Sequence, residues 1–237
     1  MQSKNRILAT LASGDLDLLV PHLEPVELGM RQKLEIPNKP IPYVYFVEHG
    51  IVSVVAAGPR RQSIEVGVIG WEGYTGWPVI IGGDRTPLDT FVQVPGSAHR
   101  IAVAHLRRAL SDSPTLQLSM FKHVQVFISQ ISQTALANGM GKLEERLARW
   151  LLMAQDRMQT DELEITHEFL SMMLSVRRPG VTVALSLLQT RGVLNVKRGI
   201  ILIIDRQGLE KIAAKFYGVA ESEAERLLGQ PVKVLAR

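Results

Sequence analysis

Apolar residues along the 237-residue chain fall into three textures. Residues 5 to 23 carry Ile7, Leu8, Leu11, Leu16, Leu18 and Leu19 around a Ser13-Gly14-Asp15 break, which predicts short helices. From Val26 to Ile101 the pattern changes to short β-rich runs punctuated by Gly and Pro. Lys33 to Ile36, Tyr43 to Glu48, Ile51 to Ala56, Ile64 to Ile69, Thr90 to Val94 and Ala98 to Ile101 are such runs. Their regular spacing predicts an antiparallel β-roll or jelly roll. Tyr45 to Val55 reads as a hairpin that turns at Gly50.

The third texture is helical. A long helix is expected from Pro114 to Ala137, with Phe121, Val124, Ile128, Ile131 and Ala135 spaced by threes and fours as in a coiled-coil seam. Leu116, Met120, Phe127 and Ile131 form a second, overlapping stripe. A helix with two apolar faces must bury both, and the economical way is to pack one on its own β-domain and the other on a second subunit. Burial of both faces inside a monomer is the other way. Asn138-Gly139 reads as a break and a hinge. Lys142 to Asp156 resumes as a helix with Leu143, Leu147, Trp150, Leu151 and Ala154 on one face, and Met158 to Glu164 reads as a polar loop.

Thr166 to Gln189 then reads as two short helices joined by a tight turn at Leu174-Ser175-Val176. Thr166 is a suitable N-cap for the first helix, whose apolar side is Phe169, Leu170 and Met173. Val181, Ala184, Leu185 and Leu188 give the second helix a core-facing stripe, and Pro179 requires that helix to begin near Arg177. Stepping 100° per residue then turns Pro179, Thr182, Val183 and Ser186 outward, with Arg177 and Arg178 at the helix start. Val193 to Asp205 reads as a β-hairpin around Lys197-Arg198-Gly199. A last helix is expected from Gly208 to Tyr217, followed by a polar tail.

Charge sharpens this reading. Thr166 to Arg206 holds six Lys and Arg against two acids, which equals the formal charge of the whole chain, +4. Positive charge gathered on one helical hairpin and the tip of the β-hairpin after it is the footprint of a nucleic-acid binder, with the tip cations suited to phosphates. The absence of cysteine excludes disulfides, thiolate metal sites and cysteine-ligated iron–sulfur clusters, and it fits a cytoplasmic location. No apolar leader or run of about 18 apolar residues is present, so neither secretion nor a membrane span is expected. The fold class is thus α+β: an N-terminal antiparallel β-roll over residues 1–113, a dimerisation helix and hinge over 114–141, a winged helix-turn-helix over 142–218 and a tail over 219–237.

A β-roll, a long helix, a hinge and a winged helix-turn-helix occur in this order in the Crp/Fnr family of bacterial transcription regulators. The chain resembles that family from about residue 15 to 217. Glu144 to Leu152, Thr166 to Leu185 and Arg198 to Glu210 carry the resemblance. It implies a homodimer on a near-palindromic double-stranded DNA site, RNA polymerase as a partner, and base reading by Arg177 and Arg178, with Pro179, Thr182 and Val183 on the same surface. Arg178 suits guanine O6 and N7, and Val183 suits a thymine methyl group. Pro179 and Val183 stand where better-known members carry charged side chains, so their operator does not transfer. For a small-molecule effector, the resemblance implies a cyclic-nucleotide pocket at Glu72, Arg85 and Thr86. The spacing from Glu72 to Arg85 is stretched, Pro87 stands at the small-residue place, and Trp71 and Trp77 flank the region. Weak or absent binding of cAMP and cGMP is therefore the expectation, with control exerted by reorienting the DNA-binding domains.

Three rival readings stand beside this one. The first is a cAMP- or cGMP-responsive regulator. The second is a cupin-like metalloenzyme, which would need a clustered His/Glu set at strand spacing. The six histidines (His22, His49, His99, His105, His123 and His167) show no close pair with metal-site spacing, which leaves haem or a metal open but without support from the sequence; no metal, no other cofactor and no enzymatic activity is the expectation. The third is a helix-turn-helix used only for protein contacts, which would not require the cationic wing.

Overall fold

In the computed structural model, which describes residues 3–58 and 63–229, Asn5 starts the first helix. Its side-chain oxygen accepts from the N–H groups of Ile7 and Leu8, capping α1 (Arg6–Thr10). α2 (Ser13–Leu19) follows and ends in a single 3-10 turn. The sheet of this region comprises β1 (Glu24–Leu28), β2 (Lys33–Glu35), β3 (Tyr43–Ala57), β4 (Ser63–Ile69) and β5 (Asp89–Ala102), with the short helix α3 (Trp77–Ile80) between the last two. β5 is the organising strand: β1, β2 and β3 all pair with it antiparallel, and β4 lies beyond β3. α4 (Val103–Asp112) and α5 (Pro114–Met140) complete the N-terminal half.

The expected hairpin over Tyr45 to Val55 is not formed. β3 runs straight through Gly50, which takes φ +89° while the register against β5 shifts on either side of His49. Gly50 therefore marks a bulge in one long strand, since an αL glycine absorbs an extra residue as readily as it closes a turn. The crossing is close enough to demand two glycines. A Cβ on Gly50 would stand 2.5 Å from the Val94 carbonyl oxygen, and one on Gly96 would stand 2.1 Å from that of His49.

The chain divides into two units, Met1–Ala56 with Val68–Phe127, and Ala57–Gly67 with Ile128–Arg237. In the first unit the core joins Ile7, Leu8 and Leu19 to Val44, Phe46 and Ile101 of the sheet and to Leu106, Leu116 and Met120 of α4 and α5. The helix thus buries one apolar face on its own sheet. Val124 belongs to that core, and its place in the expected seam is corrected accordingly. Among the positions that stay exposed along α5 are Leu118, Phe121, Gln125, Ile128, Ser132, Ala135 and Gly139, with Ile131 half-buried beside them.

The helix does not break at Asn138-Gly139. It continues to Met140 and stops at Gly141, whose N–H donates to the Ala137 carbonyl. A glycine inside a helix costs only about 1 kcal/mol, and the Asn138 side chain accepts from Arg146 Nε at 3.0 Å. In the second unit α6 (Leu143–Met158) is buried from Leu147 through Arg157 and carries α8 (Arg178–Thr190) and α9 (Arg206–Ala213) against it. Its polar side chains are bonded in place. Trp150 Nε1 donates to Glu65 Oε1 at 2.6 Å, Arg149 Nε donates to the Phe216 carbonyl at 2.8 Å, and Asp156 meets both Arg206 and the Tyr217 hydroxyl. Burial pulls the Arg149 guanidinium down to about 10 and pushes the Asp156 carboxyl up against the pull of Arg206.

Two further segments depart from expectation. The stretch read as a loop contains β6 (Glu162–Glu164), which pairs with β8 (Ile200–Ile203) and buries Leu163. Three residues with one inward leucine are too short to show an alternation. The tail begins with a helix, α10 (Val219–Leu228), that buries Ala220 and Ala224, while residues 230–237 lie outside the described residues.

His123 yields a test of the first unit. Its ring is buried edge-on to Tyr74 at 5.9 Å, and burial together with the Arg6 charge pushes the imidazole down to about 3. An unfolded histidine titrates near 6.5, so the unfolded chain takes up the proton first. The neutral ring's contribution is whole above that pH and is lost as pH falls towards 3. Below pH ~6 the unit should lose about 1.4 kcal/mol per pH unit through this residue. Urea denaturation at pH 7 and pH 5 should show a drop that is smaller in His123→Phe than in the wild type; equal drops would exclude it.

Candidate nucleic-acid interface

The interface is built from the turn outward. Thr166 Oγ1 accepts from the Phe169 N–H at 3.2 Å and starts α7 (His167–Met173). α7 buries Leu170 and Met173 and ends in a turn in which Ser175 adopts φ +50°. Arg177 is the extended residue before α8, and Pro179 falls in the first turn, where the missing N–H costs nothing. Val181, Ala184, Leu185 and Leu188 are buried, which fixes the rotation of α8. The space below the helix start is tight, since a Cβ on Gly180 would reach Leu143 Cδ2 at 3.3 Å.

That rotation leaves Arg177, Arg178, Pro179, Thr182, Val183 and Ser186 exposed together. Val183 is 60% exposed, unusual for a valine in a packed helix. The wing follows as β7 (Leu194–Lys197) and β8, with β6 on the far side of β8. Gly199 takes φ +77° at the tip, and Lys197 and Arg198 are exposed there. Gln189 Oε1 accepts from the Val196 N–H at 3.3 Å and so ties the end of α8 to the wing. Among the described residues none of Arg177, Arg178, Lys197 and Arg198 enters an ion pair, which leaves these four cations available to an anionic partner.

Residues 145–212 match the family model described as the Crp-like helix-turn-helix domain. Over about four fifths of the chain the likeness is to solved regulators at low identity. FixK2 from Bradyrhizobium japonicum superposes with a TM-score of 0.70 at 18% identity, over 81% of this chain and 98% of that one. The c-di-GMP-responsive global regulator CLP of Xanthomonas campestris gives 0.66 at 17%, over 81% and 99%. A transcriptional regulator of the CRP family from Thermus thermophilus gives 0.65 at 17%, over 80% and 97%. At such identity the likeness is one of fold: an N-terminal antiparallel sheet, a long helix and the Crp-like domain. No curated protein is a significant sequence match.

A groove of about 540 Å³ runs beside the exposed face of the Crp-like domain, lined by His167, Thr182, Leu185, Ser186, Gln189, Thr190 and Val196. Sequence reasoning picked out Thr182 and Ser186 but passed over His167, Gln189 and Thr190. The signal for the last two was available, because 182, 186, 189 and 190 share one helical face. His167 had none, since its place beside Thr182 depends on how α7 crosses α8.

The residues read as an effector pocket differ in their surroundings. Glu72 is buried in the turn after β4, and Thr86 is buried before β5, where its hydroxyl oxygen accepts from the Leu88 N–H. Arg85 points outward and pairs with Asp84 at 2.9 Å, both being more than half exposed. Trp77 packs its ring 6.1 Å from that of Phe127. An open groove of about 400 Å³ in the N-terminal unit is lined by Lys4, Glu27, Glu48, His49 and His99 among others. Burial raises the Glu48 carboxyl, but hydrogen bonds from Ser3, the Lys4 N–H and His99 outweigh it and hold the group below its ordinary value. Among the described residues no three of His, Asp and Glu come together to hold a metal ion, and no helix is long and apolar enough to cross a membrane.

Proposed function

We propose that this protein is a sequence-specific DNA-binding transcription regulator of the Crp/Fnr type, acting as a two-fold homodimer on a near-palindromic site. One observation carries the reading: the exposed start of α8 and the cationic wing tip stand on the same domain, with four Lys and Arg side chains outside any ion pair among the described residues. Arg178 donates to guanine O6 and N7 in the major groove, Val183 meets a thymine methyl group, and Lys197 and Arg198 contact phosphates. The cationic wing favours this over a helix-turn-helix that serves protein contacts alone.

The homodimer rests on α5. Leu118, Phe121, Gln125, Ile128, Ser132, Ala135 and Gly139 repeat by threes and fours and leave Leu118, Phe121 and Ile128 at 57%, 39% and 45% exposure. A second copy of the same stripe covers it as a coiled-coil seam. RNA polymerase is the further partner that a transcription regulator requires. The effector we propose is neither cAMP nor cGMP, because Arg85 is exposed and engaged by Asp84.

Three measurements test these points. Arg178→Ala should cost about 1–3 kcal/mol on a specific site and relax preference at one base position per half-site, whereas Lys197→Ala should weaken all duplexes alike and lower the salt slope by about one. Anisotropy titrations in which both variants match the wild type would exclude the groove assignment. Ile128→Glu buries an unpaired charge in the seam at several kcal/mol. It should sediment as a monomer, and a wild-type protein already monomeric at micromolar concentration would sink the dimer. In calorimetry cAMP and cGMP should give no heat of binding, and a micromolar dissociation constant abolished by Arg85→Ala would reverse that choice.

A further inference from the structure

His167 stands at the first position of α7 with its ring half-buried against α8. Its Nδ1 lies 3.1 Å from Thr182 Oγ1, and that hydroxyl donates to the Arg178 carbonyl at 3.3 Å. With the single hydroxyl proton on that carbonyl, the oxygen is left to accept from Nδ1–H, and Nε2 of the neutral imidazole presents a lone pair. Protonation turns Nε2 into a second N–H donor bearing positive charge.

The setting gives that change a consequence. The groove that His167 borders is walled by the hydroxyls of Thr182, Ser186 and Thr190 and by Gln189. These are neutral groups of the kind that contact a phosphodiester backbone without reading sequence. His167 is the one titratable residue in that lining. Among the charged residues on the neighbouring elements are Glu162 and Glu164 of β6, Glu168 of α7, Arg177 and Arg178 at the start of α8 and Lys197 of β7, and none of these lines the groove.

We infer that the groove between α7, α8 and the wing seats one DNA phosphate, and that His167 contacts it only as the imidazolium, making DNA affinity proton-linked. This rests on the DNA-binding reading above and adds its regulation by pH. A neutral ring offers the phosphate a lone pair, whereas the protonated ring offers a charge-assisted hydrogen bond. Binding then takes up a proton, so affinity is highest at low pH and falls as pH rises.

The test is the affinity of the full-length protein for one duplex of fixed sequence, long enough for two half-sites, measured by anisotropy at pH 6, 7 and 8 and at several salt concentrations. Wild-type protein should bind several-fold tighter per half-site at pH 6 than at pH 8. Its salt slope should be steeper at pH 6 by about one per half-site. His167→Asn keeps a hydrogen-bonding partner for Thr182 and should be flat across this range with the shallow slope. His167→Lys carries its charge throughout and should be flat with the steep slope. A wild-type profile that matches His167→Asn, or an equal pH dependence retained in that variant, would overturn the proposal while leaving DNA binding intact. A wild-type protein that binds no duplex at any pH would overturn the DNA-binding reading itself.

Discussion

Burial of one stripe on α8 is the constraint on which the candidate interface depends. Val181, Ala184, Leu185 and Leu188 are each at or below 2% exposure, packed among α6, α7 and the base of the wing. A helix with four such residues on one side has a single low-energy rotation, because any other would bring apolar surface into water at about 25 cal/mol per Å². Everything on the opposite side follows from that rotation. Arg177, Arg178, Thr182, Val183 and Ser186 are exposed because their neighbours are buried, and the same turn of the helix places Thr182 under His167.

The platform beneath α8 has a different character. α6 is buried over eleven consecutive residues, among them Arg149, Gln155, Asp156 and Arg157. Charges at that depth are tolerable only when bonded, and Asp156 is held by Arg206 and Tyr217 while Arg149 is spent on backbone carbonyls of Phe216 and Gln130. Such pairs rarely add much stability, but breaking one leaves an uncompensated buried charge. They therefore set how α6, α9 and the segment around Phe216 fit together. The indole of Trp150 extends the same logic to Glu65 of β4, a residue that belongs to the same unit as α6.

In the N-terminal unit the chemistry runs towards closure. Tyr74 donates its hydroxyl to the Met120 carbonyl and stacks edge-on against His123, while Glu35 accepts the Gly76 N–H at 2.6 Å. Burial pushes the Glu35 carboxyl up despite that hydrogen bond. These groups bind their own chain. The polar residues that face open space, Lys4, Glu48, His49 and His99, lie around the β3–β5 bulge instead.

Local pattern determined a good deal by itself. The 3.6-residue periodicity of α8, the Thr166 cap, the proline confined to a first turn and the cationic hairpin tip are properties of short segments, and each survives in the fold because nothing distant opposes it. The long helix was legible for the same reason. Tertiary packing decided the rest. Whether Gly50 turns a chain or bulges a strand depends on the partner that β5 supplies at Val94 and Pro95. Asn138-Gly139 stays helical because Arg146, eight residues on, engages the asparagine. Val124 fits a seam by spacing alone, yet it joins the core because the sheet and α1 lie on its side of α5. His167 acquires a partner only when α7 crosses α8. In every one of these cases the deciding atom belongs to another segment, and a periodicity read along one stretch of chain carries no information about which distant group will arrive there.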